Sequence, residues 1–357
     1  MASPDLTTIE GVQQYLSSHT KFAARTVSVL SGGTANFAYR LHLEDPLDEQ
    51  TSLVFKHFAP FIAQHASFPF DVVRQSYEVE AMKLVRSWVP TSAPVNVPQI
   101  FYFDDQANVI IMEDCGPECK TLKDLVLDGE VSAELGRHLG EGIGEFLGLV
   151  HKEGSEGPAA KKFASNEQAR TVSIWATYGR LLSTLSGADS LPVLEDPPLE
   201  LEDADLETVA SVVERTSAIL SESNDQFVMG DFWPGNILVA LDDEKRVKRV
   251  LVVDWELAKT GIRATDVGQF CAEMHLIRHF HPERKEEIDQ LLKAFLGAYE
   301  KFTPLGGETG SAAVHMGAHL VAWAPRVPWG DKELTQAVVR EGVALLVENS
   351  RDLSFCL

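Results

Sequence analysis

The chain has 357 residues and is 45% hydrophobic, enough for a large core and for two domains or lobes. Its 53 acidic residues against 31 basic ones give a formal net charge of −22, which disfavours nucleic acid and anionic membrane as partners, since both require a basic face. Four cysteines (Cys115, Cys119, Cys271 and Cys356) are too few for a disulfide scaffold, and no second Cys or His pair stands at zinc-ligand spacing.

The N-terminal stretch MASPDLTTIEG has neither the basic nor the apolar region of a signal peptide. No run reaches the ~18 apolar residues of a membrane span. The tail SFCL carries its Cys in the wrong place for prenylation. A reduced, soluble, cytoplasmic protein is expected.

Strands come first along the chain. RTVSVL (25–30) and FAYRLHL (37–43) alternate and are rich in β-formers, with the small-residue turn SGGTAN (31–36) between them. SLVFKHF (52–58) predicts a third strand. DVVRQSYEVEAMKLVRSW (71–88) places Val73, Tyr77, Ala81 and Leu84 at helical spacing. PQIFYFD (98–104) and NVIIMED (108–114) predict two further strands. After Asp114 the pattern turns helical. Leu135, Leu139, Ile143, Phe146 and Val150 share one helix face, and residues 166–185 predict another helix. The acidic, Pro-rich run 189–207 reads as a surface loop. Helices then continue to the end, interrupted once. The boundary falls near Glu113 to Gly116, giving an N-terminal lobe of residues 1–114 and a larger, mainly helical lobe of residues 115–357.

The interruption is FVMGDFWPGNILV (227–239), followed by a polar turn and RVLVVDWE. Two apolar strands around that turn form a hairpin. Asn236 opens the first strand and Asp254 closes the second, so both lie at one end, with Asp231 just upstream. Glu256, two residues beyond Asp254, faces the same way. Three carboxylates and an amide at one mouth suit Mg²⁺, a hard cation that takes one or two carboxylates plus substrate phosphates. Alone, this loop could be only a turn around Pro234 and Gly235.

The N-terminal lobe adds what a kinase site needs: a strand Lys, a helix Glu to hold it, and a backbone-rich loop over the phosphates. Lys56 lies in the third strand. The following helix supplies Glu80, with Glu78 as the other choice. Gly32, Gly33 and Asn36 lie in the loop where a phosphate cover belongs. The ordered set is more specific than any of its parts.

In LSGGTANFAYRL, VFKHF, RQSYEVEAMKL, VIIMED, MGDFWPGNIL, VVDWELAKTG and TDVGQFCAEM the chain resembles the aminoglycoside phosphotransferase and choline kinase-like superfamily of small-molecule kinases. It is most like the methylthioribose kinase-like branch, which includes fungal hydroxytryptamine kinase-type enzymes. The matching stretches run from about Leu30 to Met274, and AHLVAWAPRVPWGD extends them. The resemblance implies an α+β, bilobal, protein kinase-like fold with a small antiparallel-sheet lobe, a larger helical lobe and ATP between them. It implies Asp231 as catalytic base, Asn236 and Asp254 as metal ligands and Glu256 as a further metal-site residue. Met112, Glu113, Asp114 and Cys115 become the hinge that meets adenine.

Two departures stand out. The family usually has His before Gly-Asp, where this chain has Met229. That keeps a catalytically silent nucleotide-binding scaffold as the alternative reading. Asp254-Trp255-Glu256 lacks the Gly of protein kinases and matches the small-molecule branch. Asp266 reads either as an acid that orients the catalytic loop from below or as a helix N-cap. His151, at the end of a long helix, reads as an ordinary C-terminal cation with no catalytic role.

The acceptor is expected to be a small hydroxylated molecule bound in the helical lobe. Trp323, Arg326 and Trp329 lie within seven residues, punctuated by two prolines. They read as packed Trp residues with a surface Arg, or as an aromatic wall with a cation. By the resemblance, Arg326 is a sugar-binding candidate. The acidic surface suits a cationic amine instead, which Trp walls also bind.

Overall fold

Strands β1 (Ala24–Val29), β2 (Phe37–Leu47) and β3 (Gln50–His57) open the N-terminal sheet after a short helix α1 (Ile9–His19). The computed structural model describes residues 4–48, 50–155, 157–224 and 226–351. Cys356 and the SFCL tail lie outside the described residues. Next come a small hairpin, β4 (Phe61–Ile62) and β5 (His65–Pro69), and the helix α2 (Arg74–Trp88). Strands β6 (Val95–Asn96), β7 (Ile100–Asp104) and β8 (Val109–Glu113) complete this part. The sheet order is β1-β2-β3-β8-β7, antiparallel throughout.

Helix α1 and the β4–β5 hairpin are absent from the sequence reading. Helix α1 is short, with Val12, Tyr15 and Leu16 buried and Thr8 capping it by accepting from the Gly11 N–H. The hairpin strands have two and five residues, and every residue of β5 is exposed, so no alternation marks them.

Alternation explains where the sheet puts its side chains. Leu53 and Phe55 of β3, with Val109 and Ile111 of β8, face α1 and bury there. Their neighbours Val54, Ile110 and Met112 point the other way, into the core that holds α2. Lys56 follows Phe55 and therefore falls on the α2 side.

The C-terminal part begins with β9 (Lys120–Thr121), α3 (Leu122–Leu127), α4 (Ala133–Glu153) and α5 (Pro158–Phe163). The predicted helix over 166–185 is split. A 3-10 turn at Tyr178–Arg180 separates α6 (Glu167–Thr177) from α7 (Leu181–Leu185). The acidic run after it is largely irregular, and α8 (Asp203–Glu222) begins inside it. Strands β10 (Phe227–Val228), β11 (Ile237–Leu241), β12 (Val247–Val252) and β13 (Lys259–Thr260) follow. Helices α9 (Arg263–Phe280), α10 (Lys285–Phe302), α11 (Thr309–Trp323) and α12 (Lys332–Glu348) close the chain. Strand β6 pairs in parallel with β12, so the N-terminal part is stitched to the β11–β12 hairpin. One hydrophobic core runs through both parts, from Val54 and Met82 to Phe146, Ile237 and Trp255. Among the described residues no helix is long and apolar enough to cross a membrane.

Candidate active site

The β11–β12 register pairs Ile237 with Val252, and the Val253 N–H donates to the Asn236 carbonyl at 2.9 Å. Asn236 and Asp254 therefore meet at one end of the hairpin. The Asn236 amide donates to Asp231 Oδ2 at 3.0 Å and to the Asp231 carbonyl at 3.1 Å. Gln269 of α9 donates to the other carboxylate oxygen at 2.7 Å. Burial pushes the Asp231 carboxyl up to about 6, against the pull of the Gln269 bond and with help from the Asp254 charge. Such a carboxylate is ionised at neutral pH and more basic than a free one.

The loop is anchored from below. Asp266, in the first turn of α9, accepts from the Met229 N–H at 2.8 Å and the Gly230 N–H at 2.9 Å. Of its two sequence readings, the loop-orienting one is what the structure has, since the cap position is Ile262 and has no side-chain cap bond. His151 lies in the last turn of α4, as its place in the sequence implies, and its role is structural: it is fully buried and bridges Asp266 Oδ2 (3.1 Å) and the Tyr299 hydroxyl (2.9 Å), so it supports the anchor. The anchor uses the backbone of residue 229, and the Met229 side chain is fully buried in the core. Gly230 has φ +80°, and a Cβ there would lie 2.0 Å from Lys259 Nζ and 2.6 Å from the Leu257 carbonyl, so only Gly fits.

Lys56 Nζ lies 2.8 Å from both Glu78 carboxylate oxygens and 2.5 Å from Asp254 Oδ1. Burial opposes its charge, but Asp254, Glu78 and Glu256 outweigh that and hold the ammonium above its ordinary value. Glu80 is a correction: it turns outward and pairs with Lys162. Glu78 shares a helix face with Arg74, one turn earlier. Arg74 is 1% exposed and donates to Glu256 Oε2 and to Asn36 Oδ1, both at 2.9 Å. Asn36 in turn donates to Glu256 Oε2 at 2.9 Å. The Asn36 side chain is thus committed to Arg74 and Glu256 rather than offered to a phosphate. Arg74 had no role in the sequence reading; only its burial reveals it.

Oxygen donors for a cation are present. Glu78, Asp254 and Glu256 each bring a carboxylate oxygen within 4.8 Å of the others. Glu78 is bound to Lys56 through both oxygens, and Glu256 commits Oε2 to Arg74 and Asn36. Asn236 Oδ1 accepts no hydrogen bond among the described residues. This hard, all-oxygen set fits Mg²⁺. Asp254 itself adopts φ +69°, a conformation uncommon outside Gly that turns its carboxylate back toward Lys56.

Gly32 and Gly33 lie in the exposed turn between β1 and β2, Gly32 with φ +113°. Of the hinge residues, Met112 is buried in the core. Glu113 bonds Arg249 at 2.7 Å, and Asp114 bonds Arg40 and Ser52, each at 2.6 Å. The Cys115 carbonyl accepts from Arg249. The charged hinge side chains are therefore spent on protein partners.

A cavity of about 470 Å³ opens beside Asp231. Asp231, Asp254, Glu256 and Lys259 line it, as do Phe68, Trp175, Tyr178, Arg180 and Trp323. Of the three residues expected to form the acceptor wall, only Trp323 lines it. Arg326 pairs instead with Asp189, and Trp329 stacks on Phe280 at 5.5 Å. Proline-broken backbone after α11 carries both away. The cation of the wall is Arg180, 4.3 Å from the Trp175 ring and 5.1 Å from the Trp323 ring. The turn that splits α6 from α7 delivers it.

The phosphotransferase enzyme family model matches residues 26–305, spanning the sheet, the anchored loop and the hairpin. The chain belongs to this family. It is 31% identical to 4-hydroxytryptamine kinase of Psilocybe cyanescens over 98% of this chain and 94% of that one. Methylthioribose kinase 1 of Oryza sativa subsp. japonica is 26% identical over 71% of this chain and 56% of its own length. A choline kinase from Streptococcus pneumoniae shares the fold, with TM-score 0.51, 14% identity and coverage of 95% of this chain and 98% of that one. The phosphotransferase described here is a small-molecule kinase with the kinase-like α+β fold.

Proposed function

We propose that the protein transfers the γ-phosphoryl group of Mg·ATP to the hydroxyl of a small, ring-bearing acceptor. The observation that carries this is the shared cavity. A half-buried carboxylate held at both oxygens lines it together with an aromatic wall of Phe68, Trp175 and Trp323. The named relatives, a hydroxytryptamine kinase and a methylthioribose kinase, also act on hydroxyls carried by ring compounds. A sugar, an amino alcohol or a hydroxylated aromatic amine would satisfy the chemistry. The aromatic wall favours the aromatic amine.

Asp231 accepts the acceptor's hydroxyl proton, and Asn236 and Gln269 keep its carboxylate aimed. Lys56, steadied by Glu78, meets the phosphates of ATP. Asn236 and Asp254, with Glu256 beside them, would hold Mg²⁺. When bound, the cation would neutralise phosphate charge and orient the phosphoryl group. Met112 to Cys115 form the proposed hinge, dividing the lobes between residues 114 and 115. The silent-scaffold reading is disfavoured because Lys56, Asp231, Asn236 and Asp254 are all present, Lys56 paired with Asp254 and Asn236 with Asp231. A protein kinase is disfavoured by Asp254-Trp255-Glu256.

ADP release with Mg·ATP against sugars, aminoglycosides, choline-like amines and hydroxyindoles tests the proposal. Acceptor-dependent turnover, greatest with the hydroxyindoles, is expected. ATP consumption that ignores every acceptor would contradict it.

A further inference from the structure

Lys259 is an anomaly of charge. It is 6% exposed and lies on β13, paired in register with Val228 of β10. Its ammonium makes no ion pair among the described residues, and its one hydrogen bond is a long one, 3.4 Å to the Leu257 carbonyl. Burying a cation without a partner is costly, and a Lys with no function is normally replaced or snorkels to water. Here the Nζ is packed against the Cα of Gly230, the residue before Asp231, and it lines the same cavity as Asp231. Gly230 is compelled by this contact as well as by its φ. Burial lowers Lys259 to about 8, while Asp266 and Asp231 resist the fall, so the group still carries its charge at neutral pH.

We propose that Lys259 is a second catalytic residue, whose ammonium donates a hydrogen bond to the acceptor oxygen as that oxygen attacks the phosphoryl group. This rests on the kinase reading above. The acceptor O–H gives its proton to the Asp231 carboxylate. The oxygen's electron pair forms the new bond to the γ-phosphorus. The bond from that phosphorus to the β–γ bridging oxygen breaks, and its electron pair leaves on ADP. Lys259 keeps its protons throughout and stabilises negative charge on the oxygen as it loses its own. A fixed donor in a water-poor site is most effective in this role, since no solvent must reorganise. The missing partner is then explained: an N–H of the ammonium that bonds no described residue is reserved for substrate.

The test compares the wild type with Lys259→Met, Lys259→Gln and Lys259→Arg. Turnover is measured with Mg·ATP and the best acceptor of the hydroxyindole and sugar panel, beside phosphate release to water. Melting temperatures are recorded for all four. Lys259→Met should melt at the wild-type temperature or above, because a buried charge has been removed. Its kcat should fall by about 10²–10³-fold, the usual loss for one fixed donor, while KM for ATP stays close to wild type. Lys259→Arg should recover part of the loss. A purely structural Lys259 predicts a folded Met or Gln variant with near-normal kcat, and that result overturns the proposal. A wild type that neither phosphorylates any acceptor nor hydrolyses Mg·ATP overturns the kinase reading itself, and the role of Lys259 with it. An active wild type with insensitive variants overturns the role of Lys259 alone.

Discussion

Glu78 and Glu80 stand two positions apart on α2 and have opposite surroundings. Two residues turn a helix by about 200°, so one carboxylate faces the core and the other solvent. Glu78 is fully buried on Lys56, and Glu80 is in an exposed pair with Lys162. An exposed pair is worth only ~0–1 kcal/mol. Glu78→Gln leaves Lys56 free to swing toward Asp254, whose carboxylate it already touches. At limiting ATP its turnover should fall on the order of 10²-fold, the scale of loss from misplacing a positioning group. Glu80→Gln should leave turnover unchanged. Equal behaviour of the two variants in initial-rate assays would contradict the assignment. Asn36 teaches a similar lesson. Its place in a Gly-rich turn suggests a phosphate contact, yet its side chain closes a ring with Arg74 and Glu256.

Among the elements, α4 sets the base on which the site rests. Gly136, Gly140, Gly144 and Gly148 recur every fourth residue and face α10. A Cβ on Gly144 would lie 2.2 Å from the Phe295 carbonyl, and one on Gly140 2.2 Å from the Leu291 carbonyl. In an exposed helix, Gly→Ala gains up to about 1 kcal/mol of propensity. Here overpacking, at about 1–3 kcal/mol and directed at rigid backbone, works against that gain and should prevail. Gly144→Ala should therefore lower the unfolding free energy, by up to about 2 kcal/mol, in denaturant melts. A stabilised variant would mean that α4 and α10 are not in this close contact. Phe295 and Tyr299 of α10 pack near Phe232 of the catalytic loop and His151 of its anchor, so the glycine ridge bears on the site through two contacts.

For the whole molecule, the kinase layout was legible because its parts are spread along the chain in a fixed order. Strand alternation put Lys56 on the face toward α2, and the hairpin joined Asn236 to Asp254. Less legible were features made by absence or by breaks. Lys259 is notable for having no ion-pair partner among the described residues, and no spacing encodes that. Arg180 reaches Trp175 and Trp323 only because the 166–185 helix breaks at Tyr178, within a continuous apolar pattern. Arg326 and Trp329 looked like site residues by composition, but the turn after α11 directs them elsewhere. The central claim is that this fold aims one half-buried carboxylate, Asp231, at an acceptor hydroxyl. It is tested most directly by single-turnover phosphoryl transfer in Asp231→Asn beside wild type, at saturating Mg·ATP, with melting curves for both. Asn keeps the size and most of the hydrogen bonding but cannot take the proton. A rate at least ~100-fold lower in a folded variant that still binds Mg·ATP is the predicted result, the lower bound for loss of a general base. A folded Asp231→Asn protein turning over at a near-wild-type rate would leave the loop as structure alone.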